Sequence, residues 1–306
     1  PGNHVSKLDT SSAKYQSEEA GLVDDIGTEE EILVNIRSLI SMIPGNNEEN
    51  GAYEECTDSL NRLCEGIENA SEDTSIALSM IGDENVFFET KRNYAKDMVT
   101  GFIRLNGMTV GAVANRSKVY NEESEVTDQF DGSLSADGAK KAAEFVNFCD
   151  AFNIPVLTLT NVKGFAACEY EENNLAREAA KLTYAFANAT VPKVNVVIGK
   201  AFGGAYVTMN SKSVGADMVY AWPGAEIGMM EADLAAKIMY AGADADTLKE
   251  KTAEYRELQS SPLSAARRGY VDTIIEPVET RKYVIWAFEM LFTKREDRPM
   301  KKHGSV

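Results

Sequence analysis

The sequence predicts an α/β protein whose strands run largely parallel. Apolar runs with the length of buried strands recur at residues 154–159, 194–198, 218–221 and 271–275. Segments with helical periodicity lie between them, and such alternation favours parallel strands joined by helical crossovers. A third signal, Asn106-Gly107 between alternating stretches at 99–105 and 108–114, predicts one antiparallel hairpin at the start of the sheet. With 306 residues and 44% hydrophobic content, the chain can bury the core of one large domain or two ordinary ones.

Residues 1–27 are polar and read as irregular. Thr28-Glu29-Glu30-Glu31 has the form of a capping box, and Ile32, Ile36, Leu39 and Ile40 recur at helical spacing, predicting a helix over 29–42. The breaker cluster Ile43-Pro44-Gly45-Asn46-Asn47 marks a domain boundary. Helices are expected over 57–67 and 73–80. After the hairpin, a helix over 137–152 gathers Ala142, Phe145, Val146, Cys149 and Phe152 on one face, and another over 173–188 gathers Leu175, Ala179, Leu182 and Phe186. Helices over 234–240, 246–258 and 280–292 complete the pattern. Short-period repeats and low-complexity tracts are absent.

Composition excludes several functions. There are 48 acidic and 31 basic side chains, a net charge of −17, so nucleic acid and anionic lipid are repelled. Residues 1–70 hold 15 acidic against 4 basic side chains and read as a solvated surface. No apolar run reaches the roughly 18 residues of a membrane span. The two histidines, His4 and His303, stand near the chain ends, so no interior histidine can act as general base or zinc ligand. The four cysteines (Cys56, Cys64, Cys149, Cys168) form no C-x-x-C pair and read as reduced, buried thiols of a cytoplasmic protein. No metal site is expected. The chain begins with Pro, which reads as a processed, cut or engineered start.

The most informative stretch is 194–209. A buried strand runs through Gly199 into Gly203-Gly204 and then into a helix-compatible segment. Glycines at a strand-to-helix turn leave backbone N–H groups without side-chain cover, and two such amides aimed at one oxygen form an oxyanion hole that needs no histidine. The alternative is that these glycines only let helix and sheet pack closely. The phosphate-loop and dinucleotide glycine patterns are both absent. Glu231 and Asp233 are either an acid–base pair or residues of a helix start. Lys200 is either an anion-steering group or a surface lysine, and Trp222-Pro223 reads as packing.

Several stretches in order carry a family resemblance: 101–107 (Gly-Phe-Ile-Arg-Leu-Asn-Gly) with 110–115, 143–155, Lys163-Gly164-Phe165, Thr190-Val191-Pro192-Lys193, 200–206 (Lys-Ala-Phe-Gly-Gly-Ala-Tyr), Ala221-Trp222-Pro223 and 265–272. On these the chain resembles the C-terminal half of biotin-dependent carboxyltransferases of the acyl-CoA carboxylase and propionyl-CoA carboxylase β type. Residues 1–45 then look like a remnant of the N-terminal half with its linker, and 46–306 like the C-terminal, carboxybiotin-binding domain.

The resemblance implies a crotonase-like fold, a ββα spiral, and carboxyl transfer between biotin on a separate carrier protein and the α-carbon of an acyl-CoA. In such enzymes the biotin nitrogen serves as the base, which suits a chain without an interior histidine. Gly204 and Ala205 match the catalytic amide pair that holds the biotin ureido oxygen. Gly164, Phe165, Gly203 and Tyr206 join them as cofactor-binding residues, while Val207 and Met230 match the acyl pocket. The implied partners are the N-terminal half, a biotin carboxyl carrier protein and further copies in a hexamer. The chain alone is expected to be inactive. Two departures stand out: Glu231 and Asp233 fall where the family has a glycine-rich run, and the loop after Phe165 lacks Pro-Gly. The α-subunit of a sodium-pumping acyl-CoA decarboxylase is the close alternative, and a non-catalytic crotonase-like assembly module is the alternative of another class.

Overall fold

The structure, a computed structural model, describes residues 10–49, 52–121 and 123–298. His4 and His303 lie outside them. In the stretch expected to be irregular, Ser12 caps a short helix, α1 (Ala13–Glu18), by accepting from Tyr15 N–H. Helix α2 (Glu29–Met42) starts at the expected capping box, with Glu31 N–H donating to Thr28 Oγ1 and Thr28 N–H donating to the Glu31 carboxylate. The bond from Thr28 N–H, with that from its hydroxyl, holds the Glu31 carboxyl below the usual range. Of α2 only Met42 is buried; Leu33, Val34, Ile36 and Ile40 stay exposed.

The helix expected over 57–67 is not formed. Gly66 has φ 80°, and the chain makes only a single 3₁₀ turn at Ile67–Ala70. The cause is tertiary. Cys64 N–H donates to Val278 O, and the Arg62 guanidinium donates to Asp58, Met80 O and Gly82 O, so the segment's polar groups are committed to distant partners. Helix α3 (Thr74–Ile81) follows as expected, capped by Asp73.

Strands β1 (Phe88–Thr90), β2 (Met98–Leu105) and β3 (Met108–Asn115) are antiparallel neighbours. Asn106 and Gly107 take φ 51° and 79°, the two positive values a tight hairpin turn requires. The short hairpin β4 (Lys118–Tyr120) and β5 (Val126–Gln129) stands apart from the main sheet and has no apolar alternation that would announce it. Then come α4 (Ala136–Ala151), β6 (Val156–Val162), α5 (Glu169–Asn188) and β7 (Lys193–Phe202). After them lie α6 (Gly203–Thr208), β8 (Met218–Ala221), β9 (Glu226–Gly228), α7 (Ala232–Met239), α8 (Ala245–Tyr255), α9 (Pro262–Arg267), β10 (Thr273–Ile274) and α10 (Thr280–Leu291). Helix α5 begins four residues earlier than its apolar stripe, on a polar first turn. The strand expected over 271–275 shrinks to two residues.

The main sheet has the order β1-β2-β3-β6-β7-β8-β10, with β9 added to the far end of β7; every pairing beyond β3 is parallel. Alternation along each strand supplies two faces. On one, Phe102, Val113 and Val197 pack with Ala142, Val146 and Phe186 of α4 and α5; on the other, Val194, Val196 and Ile198 pack with Leu78 of α3 and Val284 and Phe288 of α10. The result is helix, sheet, helix, with β7 inside the sheet between β6 and β8. The cysteines are free, but not all buried: Cys64 and Cys149 are, Cys56 is partly covered, and Cys168 is exposed at the start of α5.

Candidate functional site

Strand β7 delivers the glycine turn. It ends at Phe202, and Gly203 turns the chain with φ 61°. A Cβ there would lie 3.2 Å from Met229 O, so Gly203 meets both a conformational and a spatial demand. As the first residues of α6, Gly203, Gly204 and Ala205 have amides without a carbonyl acceptor inside the helix. Gly204 is exposed, Ala205 is buried, and Thr208 Oγ1 donates to Gly204 O at 3.0 Å, bracing the turn from behind.

Phe165 lies across this turn. A Cβ on Gly204 would be 2.9 Å from Phe165 Cε2. The loop that carries the ring is clipped in place by backbone bonds: Leu134 N–H to Gly164 O, Ala166 N–H to Leu134 O and Lys163 N–H to Gly132 O, each 2.9 Å. A 3.1 Å ion pair of Lys163 with Asp131 adds to the clip. Burial would raise the Asp131 carboxyl, but bonds from Ser133 and Lys163 outweigh it and hold it low. Phe165 is 41% exposed, so its ring forms one wall of an open surface site.

The structure thus brings Gly164, Phe165, Gly203, Gly204 and Ala205 together. Val207, half-exposed, follows on α6. Met230 adjoins Met229, whose carbonyl abuts Gly203. Tyr206 differs in that it points into the core, where burial pushes its hydroxyl up to about 12 and leaves Oη without a hydrogen-bond partner among the described residues.

The charged neighbours resolve into ion pairs. Lys200 Nζ meets Glu231 Oε1 at 2.5 Å, both half-exposed. Glu231 stands at the start of α7 without capping it; Asp233 reaches Arg256 at 4.0 Å, and Arg256 Nε donates to Glu226 at 3.3 Å. The acidic residues where glycines were expected are therefore matched by cations. Trp222 is packing, as expected, buried with Nε1 donating to Thr280 Oγ1.

Two features escaped the sequence reading. Asn161, near the end of β6, is hydrogen-bonded to β7 just before the turn; an Asn inside an apolar strand run was the available signal. An apolar cavity of about 510 Å³ between α2, β1 and α4, lined by Ile32, Leu39, Phe88, Phe102 and Phe145, shares no residue with the glycine turn. Among the described residues no group of His, Cys, Asp or Glu is arranged to hold a metal ion, and no helix is long and apolar enough to cross a membrane.

A mixed sheet with helices on both faces and an amide-lined turn at the end of an interior strand defines a crotonase-like protein. The chain belongs to the carboxyl transferase domain family, whose pattern matches residues 2–306. It is 39% identical over 307 residues to the propionyl-CoA carboxylase beta chain of Roseobacter denitrificans, covering 97% of this chain and 58% of that one. It is 38% identical over 320 residues to the methylmalonyl-CoA decarboxylase subunit alpha of Propionigenium modestum, covering 100% and 60%. Among solved structures, transcarboxylase 12S, a hexamer with hydrolysed methylmalonyl-coenzyme A bound, superposes with a TM-score of 0.87 at 36% identity, over 96% of this chain and 57% of that one. The chain spans little more than half the length of these relatives.

Proposed function

We propose that this chain is the carboxybiotin-handling half of an acyl-CoA carboxyltransferase. The observation that carries the reading is the turn itself, an exposed Gly204 at the head of α6 with Phe165 as its wall. The residues suit a biotin head group. Amides 204 and 205 offer donors to a ureido oxygen, and the aromatic ring beside them offers apolar contact, so neither needs a charged side chain. Biotin, when bound, supplies the transferable carboxyl group and the base.

The chain's own part is to bind and to hold. The N–H groups of Gly204 and Ala205 would hold the ureido oxygen, as donors suited to negative charge on it. Each such donor is worth about 2.7–4 kcal/mol of barrier in comparable holes. Phe165 would cover one side of that oxygen. Val207 and Met230 would border the acyl group, an apolar boundary that suits an apolar acyl chain. The relatives' greater length supports a second half that binds the acyl-CoA; residues 1–45 would belong to it and 46–306 to this domain, assembled with a biotin carrier protein in a hexamer.

The test is reconstitution. This chain is combined with the N-terminal half of its own protein and a biotinylated carrier, and transfer of labelled carboxyl from carboxylated carrier to propionyl-CoA is followed. Transfer is expected with both halves and not with this chain alone. Absence of transfer in the reconstituted protein overturns the function, and robust transfer by this chain alone overturns the half-site reading. The identity to a decarboxylase subunit over the whole chain favours a second reading in which the same transfer runs toward the carrier; the ratio of forward to reverse rates in that assay separates the two.

A further inference from the structure

We infer that Asn161 is the positioning residue that aims the glycine turn; the inference rests on the carboxyltransferase reading. Strand β7 changes partners in mid-course. Over Val194 to Val197 it pairs with β8, and over Lys200 to Phe202 it pairs with β9. Its register with β6 breaks at the same place: Thr160 pairs with Val197, but Val162 pairs with Ala201. One residue of β6 therefore faces three of β7, and a plain ladder would leave backbone groups there without partners.

That one residue is Asn161. Its Oδ1 accepts the Lys200 N–H at 2.9 Å, and its Nδ2 donates to Ser71 O at 3.1 Å. Its own N–H donates to Asn115 Oδ1 at 3.1 Å. One side chain thus bridges the break, ties β7 to the segment before α3, and is itself tied to the end of β3. Gly199 is the complement of this arrangement, since a Cβ there would lie 2.5 Å from Asn161 Oδ1. The amide side chain suits both jobs because it carries an acceptor and a donor. Aspartate keeps the acceptor and loses the donor; alanine loses both.

The bridge matters because of where it acts. Lys200 lies three residues before Gly203, so a change in the direction of β7 at Lys200 is carried straight to the amides of Gly204 and Ala205. Donors to a developing charge work only when held to within about 0.5 Å. Asn161 acts through the Lys200 backbone and not on substrate.

The experiment uses the chain with its N-terminal half restored, in wild-type, Asn161→Ala and Asn161→Asp forms. Amide hydrogen exchange over residues 198–206 is measured with steady-state carboxyl transfer. For Asn161→Ala, exchange at Lys200 should rise at least tenfold. Its kcat should fall by about 10- to 100-fold, the scale of an ångström-sized misplacement, while KM for acyl-CoA and the melting temperature hold. Asn161→Asp should recover protection at Lys200 and most of kcat. Unchanged kcat in Asn161→Ala, or a joint loss of kcat, acyl-CoA binding and melting temperature, overturns the positioning role. If the wild-type protein shows no transfer, the carboxyltransferase reading fails, and exchange alone decides; unaltered exchange at Lys200 then overturns the bridge. Should Asn161→Ala not fold, Asn161→Ser, whose hydroxyl falls short of Lys200 N–H, takes its place with the same expectations.

Discussion

Phe165 and Gly204 are in direct contact, with the aromatic edge where a Cβ of residue 204 would stand. The backbone of Gly204 is not left-handed, so the glycine is there for space. Since Phe165 is partly exposed, its ring can swing aside, and Gly204→Ala should cost less than about 1 kcal/mol of stability. Gly204→Val, in the protein with its N-terminal half, should abolish use of carboxylated carrier while acyl-CoA affinity stays within a factor of two. Wild-type turnover in that variant would remove Gly204 from the site.

Arg281 is fully buried, its guanidinium donating to Asp83 at 2.7 Å and to Ile81 O at 2.7 Å, with Asp58 at 3.5 Å. Removing one partner of such a group strands the other charges. Arg281→Met should lower unfolding free energy by about 3–5 kcal/mol. Arg281→Lys should recover little, because one ammonium cannot reach the same fork of acceptors. Urea melts of the two variants would settle both statements.

Asp83 also accepts the N–H groups of Asn106 and Gly107, at 3.1 and 2.7 Å. A Cβ on Gly107 would lie 1.9 Å from Glu54 O, in addition to requiring a left-handed conformation. Gly107→Ala should therefore cost about 2 kcal/mol or more. Combined with Arg281→Met it should be less than additive, since both act on Asp83. Strict additivity would show that the turn and the buried arginine are independent.

Lys141 is buried, its Nζ donating to Tyr94 O and Met98 O, and burial lowers it from 10.5 to about 7 despite nearby Glu89 and Asp97. Between pH 7 and about 10 the unfolded chain binds this proton and the folded chain does not, so the group's contribution to stability rises with pH there, by at most about 1.4 kcal/mol per unit. Lys141→Met removes that slope. With stabilities measured from pH 6 to 10, the difference wild type minus variant should rise with pH above about 7; parallel curves would contradict the depressed pKa.

The Lys200–Glu231 pair is half-exposed, so it is a weak structural tie. Glu231→Gln should change global stability by less than about 1 kcal/mol, and less still in high salt. A larger loss in thermal melts would mean that the pair holds α7 in place.

Most of this architecture could be read from residues alone. Buried strands announced themselves through runs such as Val194–Val197, and α2 through Thr28 and Glu31, because those signals are local. The failures were non-local. Arg62 and Cys64 find partners around residues 80 and 278, and these override helical spacing over 57–67. The turn at Gly203-Gly204 was visible as a pair of glycines, but the side chain that borders it, Phe165, is nearly forty residues away and came only from the family resemblance. Asn161 was invisible as a bridge because its role depends on a strand changing partners, and no periodicity in one segment reports that. Glu231 and Asp233 looked out of place until their cations, Lys200 and Arg256, appeared beside them.

The main sheet ends in β1 on one side and β10 on the other, strands of three and two residues. Such short edges offer little for another chain to pair with, so the sheet is a poor template for aggregation. The sticky surface lies instead on helices, at Leu33, Val34 and Ile40 of α2 and at Leu234, Ile238 and Met239 of α7. Improving the solubility of this chain therefore calls for lysine or glutamate on those two helices and leaves every strand untouched.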